Sequence, residues 1–465
     1  MKELDLVILG AGSAGFAAAI KASELGKKFA IIENGTIGGT CVNVGCVPSK
    51  HLLYVGDFYY YSKNHSFRGI MVPSTSVNFS EIIRQKDDVV LALRKSKYID
   101  VLESLPSATF IRGKGVFISK SEVKVDNEVL KAEKFVIATG SSPFIVPIKG
   151  IDKIDYLTSV EVLNLNHVPG SMIVIGGRAL ALEFAQMYAH FGTKVTILQR
   201  SLYILPEDEP EVSEELARCL GKEDIQIYTG VQIDEVNERG RIKTVSCRIN
   251  GLERVFEAEQ ILMATGRKPN TEDLGLEKAG VETKNGFVQI NEYLQTTNLN
   301  VYAAGDCASS IMLETLAAKM GNVAVRNAFE NANLRTNQKE IPSVVFTNPQ
   351  VAKVGYTEEE YSAKTHACAC RTVPMSFVPK AQVINDTRGV IKMVIDPKTL
   401  KIVGVHIVSP MTAEMIHEAT LAIKFGLTID DIIDTVHVFP IMSEAIKLAA
   451  QSFRKDISKL SCCVE

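Results

Sequence analysis

Two pairs of cysteines lie close enough in the sequence to act together. Cys41 and Cys46 are separated by four residues, and this spacing predicts that their thiols meet across one helical turn, within reach of a disulfide. A thiol at a helix N-terminus has a lowered pKa and reacts as a thiolate. Cys462 and Cys463 are adjacent and offer two soft donors to a thiophilic ion. The sequence therefore predicts redox chemistry at the first pair and metal capture at the second.

Other interpretations of these cysteines stay open at this point. A structural disulfide is disfavoured because the sequence has no export signal and is expected in a reducing cytoplasm. A zinc half-site would need a second pair with ligand spacing. The terminal pair is also compatible with chance in a frayed end. We interpret the remaining cysteines as structural, with metal capture as the alternative for the Cys-x-Cys pair, which should lie on one strand face: Cys219, Cys247, Cys307, Cys368 and Cys370.

The composition excludes several classes of partner. A formal net charge of -3 gives no reason to expect nucleic acid, and no apolar run reaches the ~20 residues that span a bilayer. The proportions of 46% hydrophobic and 23% charged residues are typical of a soluble globular enzyme. A length of 465 residues predicts two to four domains. We therefore expect a cytoplasmic protein of several domains, without nucleic-acid or membrane partners.

A glycine motif near the start of the sequence predicts a nucleotide site. Gly10-x-Gly12-x-x-Gly15 follows an apolar strand, residues 4–9, and opens a helix. Such glycines allow a tight turn and a close approach of the backbone to a pyrophosphate at the helix N-terminus. Glu33 ends the next strand, where a carboxylate accepts hydrogen bonds from ribose hydroxyls. A purely structural turn is the alternative, which the strand, helix and acid in register disfavour.

A second, less regular copy of this module begins at residue 172. Its strand leads into Gly176, Gly177 and Arg178, where the arginine either crowds a pyrophosphate or adds charge to it. The following strand ends in Gln199 and Arg200 instead of an acid, which favours NADPH over NADH because an arginine pairs with a 2′-phosphate. The alternative is that Arg200 is a solvated surface residue. Two such modules imply two nucleotide-containing cofactors and an α/β fold with two Rossmann-like domains.

The segment GGTCVNVGCVPSK around Cys41 and Cys46 resembles the redox-active disulfide motif of the flavin disulfide reductase family. The resemblance extends over essentially the whole chain and implies FAD and NADPH as cofactors. It implies an FAD-binding domain at 1–148 and 267–338 and an NADPH-binding domain at 149–266. Alternating segments after Ile341 predict an antiparallel sheet, and the resemblance makes 339–465 an α+β dimerisation domain with a redox tail. A homodimer is expected.

The resemblance also implies individual roles. Cys46 lies against the flavin as a charge-transfer thiolate, and Cys41 exchanges with substrate. Lys50 lies beside the flavin N5 and pairs with Glu183, and Asp306 holds the ribityl chain. Further cofactor contacts are implied for Thr40, Gly115, Thr139, Gly140 and Gly266.

The end of the sequence distinguishes between branches of the family. Reductases of organic disulfides carry a His-Pro-x-x-x-Glu segment whose histidine shuttles a proton, and here Phe439 occupies the histidine position. The tail ending in Cys462 and Cys463 resembles that of mercuric reductases, whose tail pair delivers Hg(II) to the redox pair of the partner subunit. This branch predicts reduction of Hg(II), presented as thiol complexes, to Hg(0).

Two other functions remain open. His437, two residues before Phe439, is a candidate stand-in for the histidine of a dihydrolipoamide or low-molecular-weight disulfide reductase. A thiol-based metal-binding or metal-sensing flavoprotein is the alternative from another class. The resemblance is to a catalytic core without the N-terminal metal-binding domain that many mercuric reductases carry. Ala179 and Phe439 stand where tyrosines are common in that branch.

Overall fold

Short apolar strands alternate with helices along most of the chain, as the two nucleotide modules require. The computed structural model describes residues 2–459. Its strands are β1 Lys2–Leu9, β2 Phe29–Glu33, β3 Ala108–Arg112, β4 Gly115–Ser119, β5 Glu122–Val125, β6 Glu128–Ile137, β7 Ser141–Pro143, β8 Ser171–Ile175, β9 Lys194–Leu198, β10 Gln226–Tyr228, β11 Val231–Arg239, β12 Ile242–Ile249, β13 Leu252–Ala258, β14 Gln260–Met263, β15 Arg267–Pro269, β16 Thr283–Lys284, β17 Phe287–Val288, β18 Val301–Ala303, β19 Ser343–Val345, β20 Gln350–Gly355, β21 Ala369–Pro374, β22 Val390–Ile395 and β23 Ile402–Ser409.

The helices vary from single turns to the 18 residues of the one that begins at Cys46. They are α1 Ser13–Glu24, α2 Gly39–Val44, α3 Cys46–Lys63, α4 Phe79–Arg94, α5 Asp100–Glu103, α6 Ala179–Phe191, α7 Pro210–Gly221, α8 Leu276–Ala279, α9 Glu314–Glu330, α10 Glu358–Thr365, α11 Pro379–Val383, α12 Thr412–Phe425, α13 Ile429–Asp434 and α14 Glu444–Gln451. A π-helical turn covers Lys95–Ile99, and 3₁₀ turns cover Ile151–Lys153, Val162–Asn164, Gln338–Glu340, Met375–Phe377 and Ile457–Lys459.

The first of two compact units comprises Met1–His51, Glu81–Phe144 and Gly266–Thr336. Its main sheet has the order β3-β2-β1-β6-β5-β4, and β18 also pairs with β6. Strands β3, β2, β1, β6 and β18 run parallel, which is the pattern of a βαβ nucleotide module. Helices α1 and α9 pack so closely that a Cβ on Gly321 would lie 2.0 Å from the carbonyl oxygen of Ala14.

The second unit comprises Leu52–Ser80, Ile145–Thr265 and Asn337–Glu465. A parallel sheet in the order β10-β9-β8-β14 forms its nucleotide module, and β11, β12 and β13 add an antiparallel sheet that the sequence patterns did not predict. The predicted C-terminal antiparallel sheet is confirmed, with the order β19-β20-β23-β22-β21. Periodic apolar residues in the sequence also predict helices at about 412–424 and 443–453, and α12 and α14 lie there.

The described part of the chain, residues 2–459, contains no helix that is both long and apolar enough to cross a membrane.

A buried ionic cluster ties α3 and α6 together within the second unit. The imidazole of His190 is fully buried, with Nδ1 3.0 Å from Asp57 and Nε2 3.0 Å from Glu223. Tyr60 stacks on the ring at 4.2 Å, and Arg388 contacts Glu223 at 3.3 Å. Burial alone would lower the pKa of His190, but the hydrogen bonds with the two carboxylates outweigh it and raise the pKa above its usual value. The two carboxylates therefore favour the protonated form of His190.

Replacing this histidine should destabilise the second unit in a pH-dependent way. Loss of one partner from a buried ionic cluster lowers the free energy of unfolding by about 3–5 kcal/mol. His190→Gln should therefore lower the midpoint temperature of unfolding at about pH 6. A histidine whose pKa is higher in the folded state stabilises that state fully at pH values below its unfolded-state pKa of about 6.5. This stabilisation is lost as the pH rises through the folded-state pKa. The difference between wild type and variant should therefore shrink with rising pH. The exposed His167→Gln serves as control, and a pH-independent difference would contradict the assignment.

Candidate active site

Cys41 and Cys46 lie on two consecutive helices instead of one helical turn. Helix α2 ends at Val44, Gly45 breaks the helical conformation, and α3 begins at Cys46. The break needs glycine, because a Cβ at Gly45 would lie 2.9 Å from the carbonyl oxygen of Thr40. The prediction that the two thiols meet is confirmed, but the geometry that brings them together is a sharp bend. Cys46 stands at the helix N-terminus, as predicted for a reactive thiolate.

The two thiols, both free in the structure, have opposite electrostatic environments. A hydrogen bond from Cys41 lowers the pKa of Cys46, and the ammonium of Lys50 acts in the same direction against the effect of burial. The same hydrogen bond, burial and the nearby negative charge of Cys46 and Glu314 raise the pKa of Cys41 well above its usual range. Ionisation of the pair therefore favours a thiolate at Cys46 over one at Cys41.

Glu314 is a site residue that the sequence analysis missed. Its Oε2 accepts a hydrogen bond from the Sγ of Cys41, and its Oε1 accepts one from the hydroxyl of Ser13 at 3.1 Å. Cys41 and Glu314 are 273 positions apart in the sequence, so no local pattern connects them. The available signal was an acid at the start of the small-residue helix that follows Asp306.

The first glycine motif forms the predicted turn. Gly10 has a φ of 110°, and a Cβ there would lie 2.2 Å from the carbonyl oxygen of Ala138. A Cβ on Gly15 would lie 1.9 Å from the carbonyl oxygen of Gly10, so both glycines are required by the protein's own backbone. A Cβ on Gly12 would lie 3.6 Å from the Cα of Gly39, an ordinary contact, and no side chain caps α1. The uncapped helix N-terminus beside Gly12 fits a pyrophosphate.

Glu33 is positioned at the end of β2, as predicted. Its two carboxylate oxygens accept hydrogen bonds from the backbone of Ala11 at 2.7 Å and Gly35 at 2.6 Å. Gly115 begins β4, where a Cβ would lie 3.1 Å from Leu9. The carboxylate end of the strand and the glycine turn thus occupy neighbouring positions in one βαβ module, and this arrangement fits an adenosine ribose and diphosphate.

The remaining predicted flavin contacts are in the same unit. Thr40 lies in α2, the hydroxyl of Thr139 donates to the carbonyl of Asn270 at 2.6 Å, and Gly140 has a φ of 70° with open space around it. Asp306 accepts a hydrogen bond from Ser141 at 2.6 Å.

Arg267 was not predicted. Burial lowers the pKa of its guanidinium, which lies beside Asp306, and its Nε donates to the hydroxyl of Ser141 at 2.7 Å.

The second nucleotide module resembles the first in its glycine turn and differs in the charged residues around that turn. A Cβ at Gly176 would lie 2.3 Å from the carbonyl oxygen of Ala264, and Gly177 leaves space for the buried side chain of Gln199. Arg178 is the residue before α6, which has no side-chain cap, and its guanidinium pairs with Glu207. Arg200 is exposed at the end of β9. Gly266 has a φ of 116° and open space around it, within the first unit.

Glu183 is buried in the middle of α6. Its Oε1 accepts a hydrogen bond from the backbone of Phe346 at 2.9 Å, and Gln186, one turn later, accepts one from the backbone of Asn348 at 2.7 Å. The helix is thereby fixed to residues 346–348, and the Glu183 carboxylate has a defined position within the second unit.

The segment that replaces the proton-shuttling histidine has a distinct environment. Phe439 is exposed, and both ring nitrogens of His437 are hydrogen-bonded, to Thr435 and Glu418, each at 2.9 Å. Burial raises the pKa of Glu444, and its Oε2 has no hydrogen-bond partner among residues 2–459. The glutamate that His437 contacts is therefore Glu418.

The other cysteines lie as follows. Cys462 and Cys463 are outside the described residues. Cys219, Cys247 and Cys307 are buried, consistent with structural roles. Cys370 lies in β21, and Cys368 is the residue immediately before the first residue of that strand.

Comparison with family models identifies the class of protein. Residues 4–321 match the pyridine nucleotide-disulphide oxidoreductase model, and residues 341–450 match the dimerisation domain of the same group. The chain therefore belongs to the pyridine nucleotide-disulphide oxidoreductase family and is an enzyme.

Within that family, the chain is similar to proteins named mercuric reductase. The mercuric reductase of Lysinibacillus sphaericus is 43% identical over 460 residues, covering 99% of this chain and 84% of that protein. That of Staphylococcus aureus is 42% identical over 462 residues, with the same coverage. A Cu(II) complex of the HOCl-induced flavoprotein disulfide reductase RclA from Escherichia coli has a TM-score of 0.87 at 28% identity, covering 98% of this chain and 100% of that one.

The position of Lys50 near Cys46 predicts that this lysine lowers the pKa of the Cys46 thiol. In Lys50→Met, the pKa of Cys46 should rise, because the thiolate loses its neighbouring cation. The measurement is the pH dependence of alkylation at Cys46 in the reduced protein, mapped by mass spectrometry. Lys97→Met, an exposed lysine of the same unit, should leave the profile unchanged. Identical profiles for wild type and Lys50→Met would show that Lys50 does not stabilise the thiolate.

Proposed function

We propose that this enzyme reduces Hg(II) to Hg(0) with electrons from NADPH, through FAD and the Cys41–Cys46 pair. The observation that carries the proposal is the dithiol itself, whose two sulfurs lie within 4.8 Å of each other, close enough to bind one ion between them. The names of the relatives and their identity of about two-fifths over the whole chain support Hg(II) as the substrate.

The cofactors would be held by the two nucleotide modules. Residues 1–148 and 267–338 would bind FAD through Gly10, Gly12, Gly15, Glu33 and Asp306, and 149–266 would bind NADPH through Gly176, Arg178 and Arg200. When bound, FAD supplies two-electron transfer between the reduced nicotinamide and the dithiol. Lys50 and Glu183 are proposed as the pair beside the flavin, and residues 339–465 as the dimerisation domain of a homodimer.

The protein's own residues perform ligand exchange on the substrate. Hg(II) arrives bound to two thiolates, and each is displaced in turn, so two S–Hg bonds break and two form, to Cys41 and Cys46. The proton on Cys41 leaves with a departing thiol. Oxidation of one reduced nicotinamide then balances the two-electron reduction of Hg(II), and the neutral atom dissociates because it has little affinity for thiolate.

The choice of substrate is tested by steady-state NADPH oxidation with Hg(II)–thiol complexes, dihydrolipoamide-type disulfides and Cu(II). Turnover should be confined to Hg(II), because general acid–base catalysis contributes ~10²–10⁴-fold and Phe439 cannot carry a proton. Robust turnover of a disulfide that His437→Ala abolishes would favour the disulfide-reductase alternative. Tight metal binding without NADPH consumption would favour a metal-binding or metal-sensing flavoprotein.

The preference for NADPH is tested by Arg200→Ala. A charge-assisted contact contributes ~1.5–3 kcal/mol, so the affinity for NADPH should fall by roughly ten- to a hundredfold while that for NADH hardly changes. Arg241→Ala, at an exposed arginine of the same unit, serves as the matched control and should leave both affinities unchanged. Equal losses for both nucleotides in Arg200→Ala would show that this residue does not bind the 2′-phosphate.

We propose that Cys462 and Cys463 of the partner subunit pass Hg(II) to the redox pair. The test mixes two inactive parents, one with Cys462→Ala and Cys463→Ala and the other with Cys41→Ala and Cys46→Ala. Subunit exchange should restore activity with mercury held by strong external thiols, because each heterodimer contains one complete site. No recovery after verified exchange would exclude delivery between subunits.

A further inference from the structure

A third donor lies at the redox pair. The sulfur atoms of Cys41 and Cys46 and a carboxylate oxygen of Glu314 all lie within 4.8 Å of one another. Among residues 2–459 this is the cluster of acidic, cysteine or histidine groups arranged to hold a metal ion. Reduction of Hg(II) requires only the two sulfurs, since a soft ion is satisfied by thiolates. The carboxylate is therefore a third donor that binding of Hg(II) by the two sulfurs does not use.

The three donors are held by structured elements. Cys41 lies in α2, Cys46 begins α3 and Glu314 begins α9, so none of them is on a long loop. The hydroxyl of Ser13, the first residue of α1, binds the second oxygen of Glu314 at 3.1 Å. The side-chain amide of Asn43 donates to the carbonyl of Gly39 at 2.7 Å and so fixes α2. These contacts hold the carboxylate towards the sulfurs.

We propose that the reduced Cys41–Cys46 dithiol and Glu314 form a binding site for a borderline divalent cation such as Zn²⁺, with a fourth position open to water. The inference rests on the proposed reduction of the pair, since only two free thiols can serve as ligands. Such an ion would compete with the substrate for the same sulfurs, and it would not be reduced.

The donor set and its spacing suit this ion. Zinc binds thiolate sulfur at about 2.3 Å and carboxylate oxygen at about 2.0–2.2 Å, which places tetrahedral donors roughly 3.5 Å apart. Donors within 4.8 Å reach that spacing with small side-chain rotations. Two thiolates and a carboxylate also bring three negative charges together, and a divalent cation offsets most of their repulsion. A hard oxygen donor matters more for a borderline ion than for a soft one.

The test measures Zn²⁺ binding to the flavin-loaded enzyme without using mercury. The protein carries Cys462→Ala and Cys463→Ala so that the terminal thiols take no metal. It is reduced anaerobically with a phosphine, its thiols are counted, and Zn²⁺ is partitioned against a chromogenic chelator. One Zn²⁺ per chain should bind in the reduced state, and none at this site in the disulfide state. Glu314→Gln should weaken binding by about tenfold or more.

Matched variants distinguish loss of the Zn²⁺ site from general effects of a substitution on folding or charge. Glu330→Gln removes an exposed acid from the same helix, where it pairs with Arg326, and should bind Zn²⁺ like the parent. Cys46→Ser should abolish binding. Retained flavin absorbance verifies folding, and Glu314→Asp, which keeps the charge on a shorter side chain, should have intermediate affinity.

The outcomes distinguish this inference from the proposed function. If reduction releases no additional pair of thiols, the redox pair of the proposed function is wrong, and the zinc site falls with it. If two thiols are released but Zn²⁺ does not bind, or binds equally well to Glu314→Gln, the zinc site alone is overturned.

Discussion

The close approach of two thiols sets the chemistry of this protein. Because the sulfurs of Cys41 and Cys46 lie within 4.8 Å of each other, the pKa of Cys46 is lowered while that of Cys41 is raised. That difference depends on the bend at Gly45, which turns the chain between α2 and α3 and brings the sulfurs together. Lys50 then stabilises the charge on one sulfur, while Glu314 opposes ionisation of the other. The pair is thus prepared for ligand exchange before any substrate arrives.

The two nucleotide modules follow from backbone constraints of the same kind. Gly10 and Gly176 each occupy a turn in which a Cβ would collide with a carbonyl oxygen of a neighbouring segment. The helix that follows each turn has no side-chain cap, so its N-terminal amides are oriented towards a phosphate site. The modules differ in the charged residue near the carboxyl end of their second strand. Glu33 is the last residue of the strand in the first, and exposed Arg200 lies two residues after the corresponding strand in the second.

The sequence predicted those features that depend on local spacing. Short-range signatures identify the glycine turns, Glu33 at the end of β2, Arg200 shortly after β9, and the C-terminal antiparallel sheet. The structure has each of these features at the expected position in the chain. Glu314 could not be found in this way, because its contact with Cys41 joins segments that only the tertiary fold brings together. The interruption at Gly45 was also missed, since a glycine between two helical segments is compatible with one continuous helix. Domain boundaries, individual cofactor contacts and the role of the terminal cysteines stay predictions.

The central claim is that the Cys41–Cys46 dithiol binds the Hg(II) that two electrons from NADPH reduce. The most direct measurement adds one equivalent each of Hg(II) and NADPH to anaerobic, flavin-loaded enzyme whose dithiol is already reduced, and quantifies mercury vapour, NADPH consumed and remaining thiols. The account predicts about one equivalent of Hg(0) for each NADPH oxidised, with both thiols recovered, because the sulfurs release a neutral atom that has little affinity for thiolate. Mercury that stays bound as Hg(II), with no vapour and no NADPH consumed, would contradict the account.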